Sequence, residues 1–132
     1  MRNICIITGS SGLIGSEAVA FFSEKFEKVI GIDNNMRQNF FGKDASTEWN
    51  RDKLIKKYSN FEHHNIDIRN TDDLKVLFNK YRKEIGLIIH TAAQPSHDWA
   101  TKEPLTDFTV NANGTLNLLE LTRLYSPDSV FI

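Results

Sequence analysis

Ile4-Cys5-Ile6-Ile7-Thr8 runs directly into Gly9-Ser10-Ser11-Gly12-Leu13-Ile14-Gly15, and Val29-Ile30-Gly31-Ile32-Asp33 follows one helix-length later. An apolar run of strand length meets a turn punctuated by glycine. The turn opens an amphipathic stretch, and a second apolar run ends on an acid. This is the outline of a strand-helix-strand unit that binds a dinucleotide. Gly9, lacking a Cβ, allows a sharp turn. Gly12 lets the backbone come close to a pyrophosphate, and Gly15 lets the helix pack tightly on the sheet. The helix start points its unpaired N–H groups and positive dipole end at the phosphates. Asp33 lies 18 residues after Gly15, close to the ~20-residue distance at which an acid accepts hydrogen bonds from a ribose. A carboxylate there favours a free 2′-hydroxyl and repels a 2′-phosphate, so NAD is expected over NADP. The spacing departs from the commoner Gly-x-Gly-x-x-Gly, and glycines also mark ordinary loops. The strand before, the helix after and the terminal acid carry the reading.

Composition bounds the rest. The 132 residues suffice for one domain and one sheet-based core. Hydrophobic content of 40% and charged content of 25% fit a soluble globular protein. A net charge of −1 gives no reason to expect nucleic acid or a polybasic membrane surface as partner. The single cysteine, Cys5, excludes an internal disulfide and reads as a small core residue; a reducing, cytoplasmic setting fits. No secretory signal is apparent, and no apolar run approaches the ~18 residues of a membrane span.

Along the chain, a first helix is expected over about Leu13 to Lys25, with Ile14, Ala18, Phe21, Phe22 and Phe26 on its buried face. Asn34 to Asn60 is a long polar excursion holding a short helix near Asn50 to Tyr58; such loops tend to be functional or mobile. Phe61 to Ile68 reads as a third strand. Thr71 is the expected cap of a helix that buries Leu74, Leu77, Phe78 and Tyr81 and stops at Gly86. Leu87-Ile88-Ile89 forms a fourth strand leading into His90-Thr91-Ala92-Ala93-Gln94-Pro95-Ser96. A long helix over about Leu105 to Tyr125 carries apolar residues on more than one face, which suggests a partner helix, such as one from a second subunit. Ser129 to Ile132 begins a fifth strand. The alternation specifies an α/β fold: a Rossmann-type doubly wound parallel sheet with helices on both faces, ligand at the carboxyl ends of the strands. Because the chain ends on an apolar strand, it is expected to be the N-terminal dinucleotide-binding domain, residues 1–132, of a longer protein.

Thr8 to Gly15, Asp33, Asp67-Ile68, His90-Thr91-Ala92-Ala93 and Asn111-Ala112-Asn113-Gly114-Thr115 together resemble the extended short-chain dehydrogenase/reductase family, in its nucleotide-sugar epimerase and dehydratase branch. Within that branch, Ala93 to Ala100, Phe40-Phe41-Gly42 and Ala45-Ser46-Thr47 look like the CDP-paratose 2-epimerases of O-antigen sugar synthesis. The resemblance covers essentially the whole chain. It implies that Gly9, Ser11, Gly12, Leu13 and Ile14 line the pyrophosphate of NAD, with Gly15 completing the cofactor-binding turn. Asp33, Asn34 and Arg37 would surround the adenosine ribose, and Asp67 and Ile68 the adenine. Thr91, Ala92 and Gln94 would follow the nicotinamide half, with Asn111 as a polar anchor. Ser96 and His97 would lie near the sugar. A metal reading of His90 and His97 lacks a third ligand at suitable spacing.

The family's chemistry further implies a Tyr-x-x-x-Lys pair and a Ser or Thr. Four residues beyond Tyr58, Tyr81 and Tyr125 stand Glu62, Ile85 and Ser129, so the pair is absent here. No catalytic residue is assigned to this segment, which is expected to hold NAD without turnover. The resemblance implies a complete protein acting on a CDP-sugar by transient oxidation at C2 and return of hydride, as a homodimer or higher homo-oligomer. Another nucleotide-sugar dehydratase or 4-epimerase, or a non-catalytic NAD-binding or assembly module, are the competing expectations.

Overall fold

The computed structural model describes residues 2–132. Its core is a sheet of five parallel strands in the order β3-β2-β1-β4-β5. These are β1 (Ile4–Thr8), β2 (Lys28–Ile32), β3 (Phe61–His64), β4 (Ile85–His90) and β5 (Val130–Phe131). From β1 the chain winds outward through β2 to β3, then returns to place β4 on the other side of β1. The reversal opens a crevice between the carboxyl ends of β1 and β4, where doubly wound sheets bind ligands.

The alternation of β1 explains the layers. Ile4 and Ile6 point to one face, where they pack with α4 (Thr71–Tyr81) and α7 (Gly114–Tyr125) through Leu74, Phe78, Leu118 and Leu121. Cys5 and Ile7 point to the other, against Val19 of α1 (Leu13–Ser23) and Leu54 of α3 (Glu48–Lys57). Strands buried on both faces read as continuous apolar runs, as here. Burial pushes the Cys5 thiol up to about 12, so it is an inert core group.

Several expected boundaries move. Helix α1 ends at Ser23, not Lys25, and its buried residues are Gly15 and Val19; Ile14 and Phe21 are exposed. The face that meets the sheet runs through Gly15, Ala18, Val19 and Phe22, one step round from the expected stripe. Strand β3 stops at His64, because the chain turns where the Ile66 N–H donates to the His64 carbonyl. The cap of α4 is Asn70, whose side chain accepts from the Asp73 N–H, and not Thr71. This helix ends at Tyr81, where Arg82 takes φ +42°; Gly86 lies inside β4, close against the Arg2 backbone. The excursion after β2 contains α2 (Arg37–Phe41) as well as α3. The segment before α7 is divided into α5 (His97–Lys102), α6 (Pro104–Phe108) and a π-helical turn over Thr109–Asn113. The π turn rotates the helix face, so Leu105 and Phe108 no longer share the stripe of Leu118 and Leu121. Leu116, Leu119 and Leu124 nevertheless remain exposed on α7 itself, so a second apolar face persists beyond the turn.

Candidate functional site

The turn after β1 is shaped by close backbone approach. Gly9 takes φ +66°, and a Cβ on it would lie 2.8 Å from the Ala92 nitrogen. A Cβ on Gly15 would collide with the Gly9 carbonyl, so only glycine lets α1 begin this near the strand end. Gly12 caps α1 without a side-chain hydrogen bond, and the first turn holds no acidic residue. Ser16 is the first residue of the helix to donate back, to the Gly12 carbonyl. The first-turn N–H groups are therefore open to an anion in the crevice.

That crevice measures about 280 Å³. Gly9, Gly12, Leu13, Ile14 and Gly15 form one wall, and Asp33, Asn34, Met36 and Arg37 continue it from the end of β2. Ile66, Asp67 and Ile68 close the far end; Thr91, Ala92, Ala93, Pro95 and Val110 form the side beyond β4. Leu13 and Ile14 are 85% and 66% exposed, which puts apolar surface at the mouth for a ligand to cover.

Asp33 is oriented by backbone. One carboxylate oxygen accepts from the Ser11 N–H (3.0 Å), the other from the Asn35 N–H (2.8 Å). A carboxylate has about four acceptor sites, so two remain for a diol. Burial raises the Asp67 carboxyl, but the guanidinium and backbone N–H of Arg69 outweigh it and hold the group below the usual carboxylate range. Ser11 is buried beside the crevice and lines a smaller polar pocket behind Asp33, with Arg51 and His63.

Gln94 and Asn111 lie outside the crevice wall. The Gln94 backbone N–H donates to Asn111 Oδ1 (2.8 Å), and Asn111 Nδ2 donates back to the Gln94 carbonyl (3.1 Å). Gln94 Nε2 donates to Asp107 Oδ1 and the Ser96 carbonyl. The pair fastens the loop after β4 to the π turn. Ser96 caps α5, its Oγ accepting from the Trp99 N–H, and His97 is an exposed residue at the start of that helix.

Sequence reasoning missed the role of His90. Thr115 donates to the Asn111 carbonyl (2.7 Å), so it must accept from His90 Nε2 (2.9 Å). His90 Nδ1 then accepts from Thr8 Oγ1 (2.7 Å), which itself accepts from the Ala92 N–H (3.2 Å). This chain of bonds specifies the neutral imidazole with its proton on Nε2. Burial lowers the His90 pKa in the same direction. No local signal marked it, because Thr8 and Thr115 lie 82 and 25 residues from His90 in sequence. Met36, Ile66 and Val110 of the wall were missed too, since apolar lining looks like core. Among the described residues, no group of three or more His, Cys, Asp or Glu could hold a metal ion, and no helix is long and apolar enough to cross a membrane.

The geometry can be set beside known proteins. The chain is 33% identical to a UDP-glucuronate 4-epimerase of Thermodesulfobacterium geofontis, over 89% of this chain and 35% of that protein. It is also 33% identical to a CDP-paratose 2-epimerase of Salmonella typhi, over 92% of this chain and 33% of that one. The solved UDP-glucose 4-epimerase of Thermus thermophilus in complex with NAD superposes with a TM-score of 0.70 at 29% identity, covering 92% of this chain and 34% of that chain. The chain thus spans about a third of the length of these relatives. The family described as GDP-mannose 4,6 dehydratase matches residues 6–132, so an open helix start, an acid at the next strand end and near-complete coverage agree, and the chain belongs to that family.

Proposed function

We propose that the crevice binds NAD and that this chain is the dinucleotide-binding part of a nucleotide-sugar epimerase, most specifically a CDP-paratose 2-epimerase. One observation carries the cofactor reading. The uncapped first turn of α1 faces a glycine-walled crevice, and a backbone-oriented carboxylate stands at the next strand end. The first-turn N–H groups of α1 hold the pyrophosphate. Asp33 accepts from the adenosine ribose, with Asn34 and Arg37 beside it. Asp67 and Ile68 flank the adenine, and Thr91 and Ala92 follow the nicotinamide half. Gln94 and Asn111 act through the loop they fasten. Bound there, NAD supplies a reversible hydride acceptor. Ser96 and His97 stand on the side where a CDP-sugar would meet it.

The 2-epimerase reading is supported by the likeness to the Salmonella protein and by the run Ala93 to Ala100. A UDP-sugar 4-epimerase is the second reading, favoured by the equal identity to the Thermodesulfobacterium enzyme. Leu105 and Phe108 of α6 and Leu116 and Leu119 of α7 are exposed apolar side chains that a homodimer contact would cover, and a cytoplasmic setting goes with the nucleotide-sugar reading. Calorimetry with NAD and NADP tests the cofactor. Incubation of the intact protein with CDP-paratose, UDP-glucose and UDP-glucuronate, followed by sugar analysis, tests the substrate. Conversion of a UDP-sugar alone would replace the first reading by the second.

A further inference from the structure

We infer that Phe40 and Trp99 form a latch between the two segments that carry opposite sides of the crevice, and that it sets how fast the dinucleotide enters and leaves. The inference rests on the NAD reading above. The two rings meet edge-on, with centroids 5.6 Å apart and planes at 61°. They stand on segments that supply different sides of the crevice. Phe40 lies in α2, three residues beyond the lining residue Arg37; Trp99 lies in α5, four beyond the lining residue Pro95. One ring thus extends the segment after β2 and the other the segment after β4.

Each segment is tied at its root. Asn35 Nδ2 donates to Gln38 Oε1 (3.1 Å) and Ser46 Oγ (3.0 Å), while its Oδ1 accepts from the Thr47 N–H (2.8 Å). Gln94 is held by Asn111 and Asp107 as described. Between the segments, residues 34–47 and 93–103, no hydrogen bond or ion pair is found among the described residues, and the ring pair is a direct side-chain contact that joins them. A closure held by apolar contact between two well-anchored arms is a place where opening is easy.

Trp99 Nε1 is also buried without a hydrogen-bond partner. A buried indole N–H normally finds an acceptor, and an orphan needs a reason. Swinging the ring outward returns that N–H to water. Ring contact favours the shut state and the indole N–H favours the open one, which is the balance a latch requires.

A gate alters entry and exit together. In the intact protein loaded with NADH and chased with excess NAD, stopped-flow fluorescence reads the release rate; direct mixing with NADH reads entry. Phe40→Ala and Trp99→Ala are each expected to raise both rates by about 2- to 12-fold, the range that an aromatic pair's usual strength corresponds to. Affinity should stay within about threefold. The double variant should be no faster than either single one, because the rings act as a unit. Trp99→Phe keeps a ring and removes the orphan N–H, so its exchange should match or fall below the parent's. Should Phe40→Ala melt, Phe40→Leu keeps apolar bulk without the ring and carries the same expectation. Release that quickens while entry stays constant would mean a weakened site and would overturn the latch. Multiplying effects in the double variant, or unchanged rates in both single ones, would overturn it too. NADH that binds with unaltered exchange refutes the latch alone, whereas an intact protein that takes up no NADH refutes the cofactor reading as well.

Discussion

Two glycines in the same turn should respond to substitution in opposite ways. Gly12 has φ −76° and ψ −179°, ordinary extended backbone, and a Cβ there would meet only the Gly9 carbonyl oxygen at 3.2 Å. Gly12→Val therefore asks the Gly9 carbonyl to give by only a few tenths of an ångström, far less than a side chain at Gly15 would. Valine is a poorer helix cap than glycine by about 1 kcal/mol, which lowers the melting temperature by roughly 2–8 °C for a chain of this size. Its branched side chain, however, would enter the crevice that Gly12 lines, where the proposed pyrophosphate would lie. Blocking the helix start and displacing a diphosphate should weaken NAD binding at least ~100-fold, about 2.7 kcal/mol. Gly15→Ala is the reverse case. Its Cβ would collide with the Gly9 carbonyl and approach Ser10 Cα at 2.9 Å, both rigid backbone atoms. Overpacking typically costs about 1–3 kcal/mol, and a clash with rigid backbone puts this variant at the upper end, so it should lose stability far more than Gly12→Val does. Thermal melts followed by calorimetry of the folded variants separate the two effects. A Gly12→Val protein that melts near the parent and binds NAD equally well would refute the placement of the diphosphate.

Asp33→Asn keeps an acceptor for the Ser11 or Asn35 N–H and removes the charge. It should narrow the preference for NAD over NADP by about tenfold, read as the ratio of two dissociation constants, and an unchanged ratio would free Asp33 of that role. Two histidines make stability depend on pH: burial lowers the pKa of both His90 and His63. Their folded values lie below the unfolded one, so the unfolded chain binds more protons, and stability is lost as pH falls below about 6.5. Thermal melts between pH 8 and pH 5 should show the loss, and His90→Gln should flatten part of it. Asp67 adds a second decline at lower pH. Its depressed carboxyl stabilises the fold above the unfolded value near ~3.9 and loses that contribution as pH falls through the folded one; Arg69→Met should remove this step.

What the sequence revealed follows from how local each signal is. The glycine turn, the acid at the end of β2 and the strand-helix alternation are short-range, and they specify a doubly wound parallel sheet with helices on both faces, while the order of its strands is read from the structure. The buried face of α1 was harder to read, because Ile14 and Phe21 are apolar yet exposed, one at the crevice mouth. Gly86 mimics a helix stop, but the close approach it permits is to Arg2, far along the chain. The π turn leaves no distinctive pattern before its bonds are seen. The bonds of His90 to Thr8 and Thr115, and of Gln94 to Asn111, join residues from separate elements, as does the contact of Phe40 with Trp99. Such pairs exist only once the fold has formed.

A crystal of the protein grown with NAD tests the central claim most directly. The expected density places the diphosphate against the amides of Leu13 and Ile14, with the adenosine diol on the Asp33 carboxylate. A dinucleotide bound elsewhere, or a crevice closed by the protein's own side chains in saturating NAD, would contradict the claim.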